Sequence, residues 1–448
     1  MVKNTEVIAA IATAHGPAGV GVIRVSGPSL AAMAAQLTRR PASFVPRRAT
    51  YTQFFNQAAQ VVDEGLLIYF PAPHSFTGED VIELHGHGGI QVTRLLLRCC
   101  LERGARLAHP GEFTQRAFFN GKLDLAQAEA VSDLISAESD MAALSAMRSL
   151  SGAFSQQVRQ LKDALVSLRI HVEGSIDFSD EPIDFSTGIS VDRQIAALQQ
   201  HTRQLLNTAQ QGLLLRSGSQ VVLIGAPNVG KSSLLNALSE EDHALVTDVP
   251  GTTRDVIRSH IDIQGVCFHL IDTAGIRSTT DVVEQAGIAR TWKEIQRADM
   301  ALVVIDVSCG LTEADHSLLR ALPSHLSTYV VANKIDLSTR GDQEVGTPLQ
   351  TIPVSALTGE GLPELKLMLL QQAGWRPTTE PVFLARERHL IALRSVEAAL
   401  TAARAQETAL ELQAEELRRA QQALGQILGE FTPDHLLGEI FSAFCIGK

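Results

Sequence analysis

One eight-residue segment constrains the fold of this chain more than any other. Residues 225–232 read GAPNVGKS, which matches the pattern G-x-x-x-x-G-K-[ST]. An apolar run precedes the segment, and the helix-like run SSLLNAL begins at its end. In this setting a loop turns its backbone N–H groups toward phosphate oxygens, and the helix N-terminus adds partial positive charge. We predict a phosphate-binding loop in which Lys231 faces the β- and γ-phosphates and Ser232 offers its hydroxyl to Mg²⁺.

Strand-like and helix-like runs alternate around and after this loop, which predicts a parallel sheet covered on both faces. The predicted strands are Val221–Ile224, Val266–Ile271, Ala301–Ile305, Tyr329–Ala332 and Thr351–Val354. DTAG follows the second strand, where Asp272 can hold Mg²⁺ through water and the Gly275 N–H can meet a γ-phosphate. PGTTRD lies between the two phosphate motifs, and one of its threonines, Thr252 or Thr253, is expected to coordinate Mg²⁺ in a switch loop.

Two further motifs indicate that the base is guanine. NKID, residues 333–336, closes the fourth strand, and the Asp336 carboxylate offers two acceptors to the two N–H donors of guanine. Adenine cannot satisfy that pair. Lys334 can lie across the base, and the backbone of SAL, residues 355–357, can reach the guanine O6. The order of the motifs predicts GTP binding and hydrolysis rather than an ATPase.

The position just after DTAG carries Ile276, where many small GTPases have a glutamine that orients the attacking water. Glu284, Arg277 and Arg254 are the candidates to replace it, although Glu284 is also compatible with a solvated helix carboxylate. Asn228 in the phosphate loop can ligate a monovalent cation that neutralises developing charge. A loop-stabilising amide is the alternative for Asn228.

The rest of the chain shows two other patterns of predicted secondary structure. Residues 1–120 mix short strand-like runs, at Gly19–Val25, Gly65–Phe70 and Asp80–Leu84, with one apolar helix near 91–103, which predicts an α+β domain. Residues 121–215 and 378–448 carry apolar residues at helical spacing. We predict a multidomain chain in which a helical domain is split by an inserted α/β domain, residues 216–377.

Composition bounds the partners and the compartment. The net charge is −11, so any RNA contact must use a local basic surface. The five cysteines show no CxxC pair or Cys/His spacing typical of zinc, and an odd count without a disulfide framework favours a reducing cytosol. No apolar run approaches the length of a membrane span. We expect a cytoplasmic protein.

Segments outside the nucleotide motifs carry a more specific resemblance. GPAGVGVIRVSG (16–27), SFTGEDVIELHGHGG (75–89), HPGEFTQRAFFNGKLDLAQAEA (109–130) and the terminal CIGK, together with the GTPase motifs, resemble the MnmE (TrmE) family of tRNA modification GTPases over essentially the whole chain. The resemblance implies a folate-binding, dimerising N-terminal domain, a split helical domain and an inserted P-loop GTPase domain. It also implies a homodimer, the flavoprotein partner MnmG, and modification of C5 of the wobble uridine of certain tRNAs. The one-carbon unit would come from a tetrahydrofolate.

The resemblance also implies residue roles. Asn228, Thr247, Val249 and Thr252 become K⁺ ligands, Ser232 and Thr253 Mg²⁺ ligands, and Glu284 the residue that orients the water; Arg24, Glu83, Lys122 and Lys448 match positions that bind 5-formyltetrahydrofolate, and Cys445 matches a cysteine suspected of a part in modification. Motifs and resemblance together predict these GTP-binding residues: Asn228, Val229, Gly230, Lys231, Ser232, Ser233, Thr247, Asp248, Val249, Pro250, Gly251, Thr252, Thr253, Asp272, Thr273, Ala274, Gly275, Asn333, Lys334, Ile335, Asp336, Ser355, Ala356 and Leu357.

Two other functions are compatible with the nucleotide motifs. One is a ribosome-assembly or signalling GTPase that binds RNA and modifies nothing, and the other is an independent folate-dependent enzyme with a regulatory GTPase domain. The N-terminal segments and CIGK favour the tRNA-modifying function. Cys445 is also compatible with an inert thiol.

Overall fold

A computed structural model of the chain describes residues 6–14, 16–177, 191–240, 257–272, 291–337, 347–377, 381–406, 409–430, 434–445 and 447. The chain divides into two compact units. The first comprises residues 1–136, 149–203 and 391–448, and the second comprises residues 137–148 and 204–390. A short segment of the predicted helical domain, residues 137–148, therefore belongs to the same unit as the nucleotide motifs.

A six-stranded sheet forms the N-terminal part of the first unit, with the order β3-β4-β5-β2-β1-β6. Its neighbouring strands pair antiparallel except for β1 and β6, which are parallel. The strands are β1 Ile8–Ile11, β2 Ala18–Gly27, β3 Thr50–Phe55, β4 Val61–Phe70, β5 Asp80–Gly88 and β6 Arg106–Leu107. The predicted strands lie within β2, β4 and β5, whereas β1, β3 and β6 were not recognised in the sequence.

One face of this sheet is covered by two helices, α1 Ala31–Thr38 and α2 Ile90–Leu101. Alternate strand residues turn inward to a shared core with the apolar faces of both helices, including Ile23, Phe54, Leu84 and Leu96, each 0% exposed. The opposite face carries polar side chains at the centre of β2 and β5, where Arg24 stands across from Glu83, and a smaller apolar cluster that includes Ile8 and Phe113.

Helices make up the remainder of the first unit, and two of them extend into the second. They are α3 Glu112–Phe119, α4 Leu125–Ile135, α6 Ala153–Asp177, α7 Val191–Ser217, α12 Glu387–Ala405, α13 Leu410–Leu428 and α14 Asp434–Ser442. Asp124 begins α4 by accepting a hydrogen bond from the Gln127 N–H, in a reciprocal capping box. The helical spacing predicted in the sequence is confirmed, since Leu161 of α6 and Leu417 of α13 are both buried.

The second unit contains a six-stranded sheet of order β12-β11-β10-β7-β9-β8. Its strands are β7 Ser219–Ile224, β8 Ile257–Ile263, β9 Val266–Asp272, β10 Met300–Asp306, β11 Ser327–Asn333 and β12 Thr351–Pro353; its helices include α5 Asp140–Leu150, α8 Lys231–Glu240, residues 291–297 (α9), α10 Glu313–Ala321 and α11 Leu362–Gln372. All five predicted strands are present. These five strands pair parallel to one another, as predicted. The sequence did not predict β8, which adds an antiparallel edge strand beside β9 through a tight turn.

No helix in the described ranges is long and apolar enough to cross a bilayer.

Candidate functional site

The phosphate loop joins β7 to α8 at the carboxyl end of the sheet. The Lys231 ammonium folds back and donates hydrogen bonds to the carbonyl oxygens of Gly225 (2.9 Å) and Ala226 (3.0 Å). Burial lowers the pKa of Lys231, although the nearby Asp272 carboxylate opposes that shift. The loop therefore holds a half-desolvated positive charge at the N-terminus of a helix, where a phosphate group is favoured.

The next part of the site consists of two oxygen donors. The Ser232 hydroxyl donates to Oδ2 of Asp272 over 3.3 Å, which joins the first turn of α8 to the carboxyl end of β9. The other carboxylate oxygen, Oδ1 of Asp272, is buried and has no hydrogen-bond partner among the residues that the structure describes. A hydroxyl and a carboxylate are hard oxygen donors, so this pair fits a Mg²⁺ ion held partly through water.

The Asn333 side chain connects the phosphate loop to the loop of residues 355–357, where base recognition is predicted. Its amide Nδ2 donates to the Val229 carbonyl (2.8 Å), and its Oδ1 accepts from the Ala356 N–H (3.1 Å). Asn333 is 1% exposed, so both contacts are shielded from water. One buried amide thus fixes the spacing between the phosphate end and the base end of the site.

Two carboxylates flank this amide, and they have different partners. Ser355, which is fully buried, donates its hydroxyl to Asp336. The Lys334 ammonium donates to the Asn228 carbonyl (2.8 Å) and to Oδ2 of Asp306 (2.7 Å). Burial alone would raise the pKa of Asp306, but hydrogen bonds from Lys334 and Ser308 outweigh burial and lower it. The bond from Ser355 engages Oδ1 of Asp336, and the residue itself is exposed at the edge of the site.

A second polar constellation lies on the N-terminal sheet. Arg24 on β2 stands directly opposite Glu83 on β5, and its Nε and Nη2 lie 3.0 and 2.9 Å from Oε1 of Glu83. His85 Nε2 lies 3.2 Å from the other Glu83 oxygen. Arg24 Nη1 also donates to the carbonyl of Gly447 over 3.3 Å. Residues distant in sequence therefore meet around one half-buried guanidinium.

Comparison with known proteins identifies the family. A family model of the GTP-binding protein TrmE N-terminus matches residues 7–122, and a model of the MnmE helical domain matches residues 125–445. The chain is 54% identical to the tRNA modification GTPase MnmE of Azoarcus sp. (strain BH72), covering 100% of this chain and 99% of the relative. It is 52% identical to the protein of the same name from Aromatoleum aromaticum, covering 99% of this chain and 98% of the relative.

The chain belongs to the MnmE family of tRNA modification GTPases. Its enzymatic activity is GTP hydrolysis. Among solved structures, the G domain of the T. maritima FeoB iron transporter is similar at 28% identity and a TM-score of 0.29, covering 35% of this chain and 98% of that chain. That TM-score is too low to bear on the fold.

Several residues predicted for the MnmE-type site lie outside the described residues, and their roles stay predictions. They are Thr247, Asp248, Val249, Pro250, Gly251, Thr252, Thr253, Thr273, Ala274, Gly275, Glu284 and Lys448, together with Ile276 and the two arginine candidates, Arg254 and Arg277. Among the described residues of the predicted set, Ser233 is exposed on α8, the Ile335 N–H donates to the Val354 carbonyl, and Leu357 is 85% exposed.

Lys122 and Cys445 are the remaining predicted residues that the structure describes near the N-terminal sheet. Lys122 donates to the Pro73 carbonyl over 3.1 Å, on the loop that also carries Phe76. The Phe76 ring centroid is 5.8 Å from the Arg24 guanidinium carbon. Cys445 is exposed, and its carbonyl accepts from the Gly111 N–H over 3.4 Å.

Motif reasoning missed three side chains that support these sites in the MnmE fold. Asp306 ends β10 and holds Lys334, while His85 and Phe76 flank the Arg24–Glu83 pair. Asp306 could have been found, because it ends an apolar strand of a predicted parallel sheet, where ligand-binding residues collect. His85 lies two residues beyond Glu83 on the same face of the strand, which is a weak signal on its own.

Proposed function

We propose that this chain couples GTP hydrolysis to the addition of an aminomethyl or carboxymethylaminomethyl group at C5 of the tRNA wobble uridine. The flavoprotein MnmG would be its partner and a tetrahydrofolate its one-carbon donor. Full-length relatives with the name tRNA modification GTPase support the tRNA substrate. The single observation that carries the finer proposal is the Arg24–Glu83 pair on the N-terminal sheet, with Gly447 brought against it.

The N-terminal constellation has the chemistry that a folate needs. The Glu83 carboxylate can accept hydrogen bonds from the N–H groups of a pterin, and the Arg24 guanidinium, which holds that carboxylate, can donate to an oxygen at the same end of the ligand. Phe76 and Phe113 lie with their ring centroids 5.8 and 5.9 Å from the Arg24 guanidinium carbon, which offers apolar surface beside the charges. We assign Arg24, Glu83, Lys122 and Lys448 to 5-formyltetrahydrofolate or a related tetrahydrofolate.

In the nucleotide site we assign Mg²⁺ to Ser232 and Thr253, with Asp272 holding it through water. The unpartnered buried oxygen of Asp272 and its contact with Ser232 support this assignment. When bound, the ion would neutralise charge on the β- and γ-phosphate oxygens.

We assign K⁺ to Asn228, Thr247, Val249 and Thr252, and the orientation of the attacking water to Glu284. Asn228 is exposed in the phosphate loop with a φ of +64°, and Lys334 donates a hydrogen bond to its backbone carbonyl, so the backbone that carries this side chain is held in place. The K⁺ site would be completed when two copies of the GTPase domain approach each other in a homodimer, and GTP hydrolysis would then be faster.

Nucleoside analysis of tRNA tests the modification. In a strain that lacks this chain, we expect the wobble-uridine derivative to disappear and to return on complementation with the wild type. Complementation with the Asp336→Asn variant should fail, because guanine recognition is lost. Unchanged wobble uridines in the deletion strain would favour the ribosome-assembly or signalling alternative. A pull-down scored for the flavoprotein tests the MnmG partnership separately.

Turnover in different salts tests the K⁺ and Glu284 assignments. Replacement of K⁺ by Na⁺ should slow GTP hydrolysis, and Glu284→Ala should slow it severely with nearly unchanged GTP affinity, because a water-orienting residue acts in the transition state. Equal rates in both salts would remove the K⁺ assignment, and a normal rate in the variant would remove the role of Glu284.

A further inference from the structure

A group of metal-ligating side chains lies on the β8–β9 hairpin, outside the nucleotide site. His260 on β8 stands directly opposite His269 on β9, and Cys267 precedes His269 by two residues. Residues two apart on a strand, and residues directly opposite on its neighbour, share one face of the sheet. The hairpin therefore presents two imidazoles and a thiol on the same face.

Glu138 supplies a fourth donor from the segment 137–148. Its Oε2 lies 3.3 Å from the Cys267 sulfur and 3.8 Å from Nδ1 of both His260 and His269. The two Nδ1 atoms are 2.7 Å apart. All four ligand atoms lie within 4.8 Å of one another. In a tetrahedral zinc site with bonds of about 2.0–2.3 Å, neighbouring ligand atoms are about 3.3–3.7 Å apart, so small side-chain shifts would form one.

A hydrogen bond from the adjacent residue holds Glu138 near the hairpin. The neighbouring Ser139 hydroxyl donates to the Gly265 carbonyl over 2.7 Å, at the tip of the β8–β9 turn. Gly265 has a φ of +88°, and a Cβ there would lie 2.5 Å from the Met141 Cβ. Only glycine permits both the turn and this close approach. The backbone that carries Glu138 is thus held against the β8–β9 turn, so its carboxylate stays close to the other three ligands.

One histidine is also oriented by its other ring nitrogen. Nε2 of His269 lies 3.2 Å from the Ser217 carbonyl, which can only accept, so Nε2 carries the proton and Nδ1 presents its lone pair to the cluster. A backbone carbonyl in this position is the usual outer partner of a metal-binding histidine. His260 then shares its Nδ1 proton with His269 until a cation displaces it.

The thiol of Cys267 and the carboxylate of Glu138 are also in contact. Cys267 is 5% exposed, and its thiol donates to Glu138. Burial, together with the neighbouring carboxylate, raises the pKa of this thiol. Glu138 and the two imidazoles remain partly exposed, which leaves a path by which an ion can enter.

We propose that Glu138, His260, Cys267 and His269 form a Zn²⁺ site. One thiolate, two imidazoles and one carboxylate suit a borderline-soft ion that prefers four ligands, whereas Mg²⁺ and Ca²⁺ prefer oxygen donors. Because all four ligands come from the protein, the site is structural. It fastens the segment 137–148 to the hairpin whose second strand ends at Asp272.

Metal binding by the full-length chain without a histidine tag tests this proposal. The metal-free protein is titrated with Co²⁺ to follow the thiolate-to-metal charge-transfer band, and with Zn²⁺ in competition with a chromophoric chelator. We expect one equivalent to bind. Cys267→Ser should abolish the charge-transfer band and weaken Zn²⁺ binding about 100-fold or more, since loss of even an outer partner of a ligand costs about 10–100-fold.

Glu138→Gln removes a half-exposed ligand and keeps the shape of the side chain. It should weaken Zn²⁺ binding about tenfold or more while the charge-transfer band persists, and circular dichroism should show an unchanged fold. Cys309→Ser changes an exposed cysteine of the same unit and should alter neither property. If Cys267→Ser does not fold, Glu138→Gln and His260→Gln decide the question. Absence of the band in the wild type, or unaltered Zn²⁺ affinity in Glu138→Gln, overturns the proposal.

Discussion

The nucleotide site and the N-terminal site use opposite means to place polar groups. At the nucleotide site, loops at the carboxyl ends of parallel strands bring backbone carbonyls, N–H groups and short side chains together around Asn333. At the N-terminal site, Arg24 and Glu83 lie within paired antiparallel strands and meet side chain to side chain. Most polar groups of the nucleotide site are thus backbone carbonyls and N–H groups, whereas those of the N-terminal site are long side chains on a sheet.

The difference determines what each site tolerates. A backbone-built site depends on the conformation of its loops, so a single added methyl group can displace several donors at once. A site built from side chains on a sheet depends on which charge is present, because the strands beneath are held by their own core. Apart from Asp336, whose side-chain carboxylate is expected to recognise the base, substitutions should therefore disturb the first site through shape and the second through charge.

The largest expected effect is on base recognition. Asp336→Asn replaces a carboxylate with an amide that cannot accept two N–H bonds, so GTP affinity should fall about 1,000-fold or more. Xanthosine triphosphate, which has an oxygen in place of the exocyclic amine, should gain affinity. Nucleotide titration by fluorescence measures both, and equal binding of GTP by the variant would remove Asp336 from base recognition.

The next largest effect should come from a methyl group in the phosphate loop. Gly230 has a φ of +97°, and a Cβ there would lie 2.3 Å from Nδ2 of Asn333. Gly230→Ala should therefore lower GTP affinity about 100-fold, because it displaces the amide that spaces the two ends of the site. Gly310→Ala is the matched control, since Gly310 also has a positive φ but has no atom within 4 Å of its Cβ position. Similar losses in both variants would mean that backbone strain alone is responsible.

At the N-terminal site, charge should matter more than shape. Arg24→Ala should weaken binding of 5-formyltetrahydrofolate about 30-fold, from loss of charge-assisted hydrogen bonds worth about 2 kcal/mol. Arg24→Lys keeps the charge but not the forked geometry, and should weaken it by less, about threefold. Arg48→Ala, on an exposed loop, serves as control. Calorimetry measures the affinities, and GTP affinity should be unchanged in all three variants.

The smallest effect concerns the stability of the N-terminal unit. Glu112 is 3% exposed and bonds to Arg106, Arg116 and the His109 N–H. Burial alone would raise the pKa of Glu112, but these partners outweigh it and lower the pKa to about 2. Because the folded pKa lies below the unfolded value, the ionised carboxylate stabilises the fold above about pH 4.5, and that contribution is lost as pH falls toward 2.

Glu112→Gln tests this contribution. At neutral pH we expect the free energy of unfolding to fall by about 2 kcal/mol, after allowance for partial solvent screening. The wild type should lose stability between pH 4.5 and 2 more steeply than the variant. Urea unfolding at a series of pH values provides the measurement, and parallel pH profiles would show that Glu112 is not the titrating group.

The same contrast explains which parts were predictable from the sequence. A site built from loops has short motifs of fixed spacing that can be recognised in a sequence. Lys231, Asn333 and Asp336 were therefore predicted together with the strands that precede them. The Arg24–Glu83 pair depends on strand register, which no local motif encodes, and it was found only through resemblance to a family. The bond from Asn333 to the Val229 carbonyl could not be predicted, because it depends on how two loops pack.

The β8–β9 hairpin was missed for a different reason. Gln264 and Gly265 have φ values of +52° and +88°, which is the two-residue turn that joins twisted antiparallel strands. The alternating run before Gln264 was a usable signal for β8, and its register would have placed His260 opposite His269. Glu138 would still have been invisible, since it is 129 residues from Cys267 in sequence.

The contact between Arg24 and the Gly447 carbonyl has a consequence for synthesis of the chain. The two residues are 423 positions apart, although they belong to one site. At translation rates of about 5–20 residues per second, roughly 20–80 s pass between the synthesis of one and the arrival of the other. The N-terminal sheet can pair within that interval, but the Arg24–Gly447 contact cannot form until Gly447 has left the ribosome. Nascent chains stalled upstream of Gly447 should therefore carry a folded sheet and an incomplete group of polar contacts around Arg24.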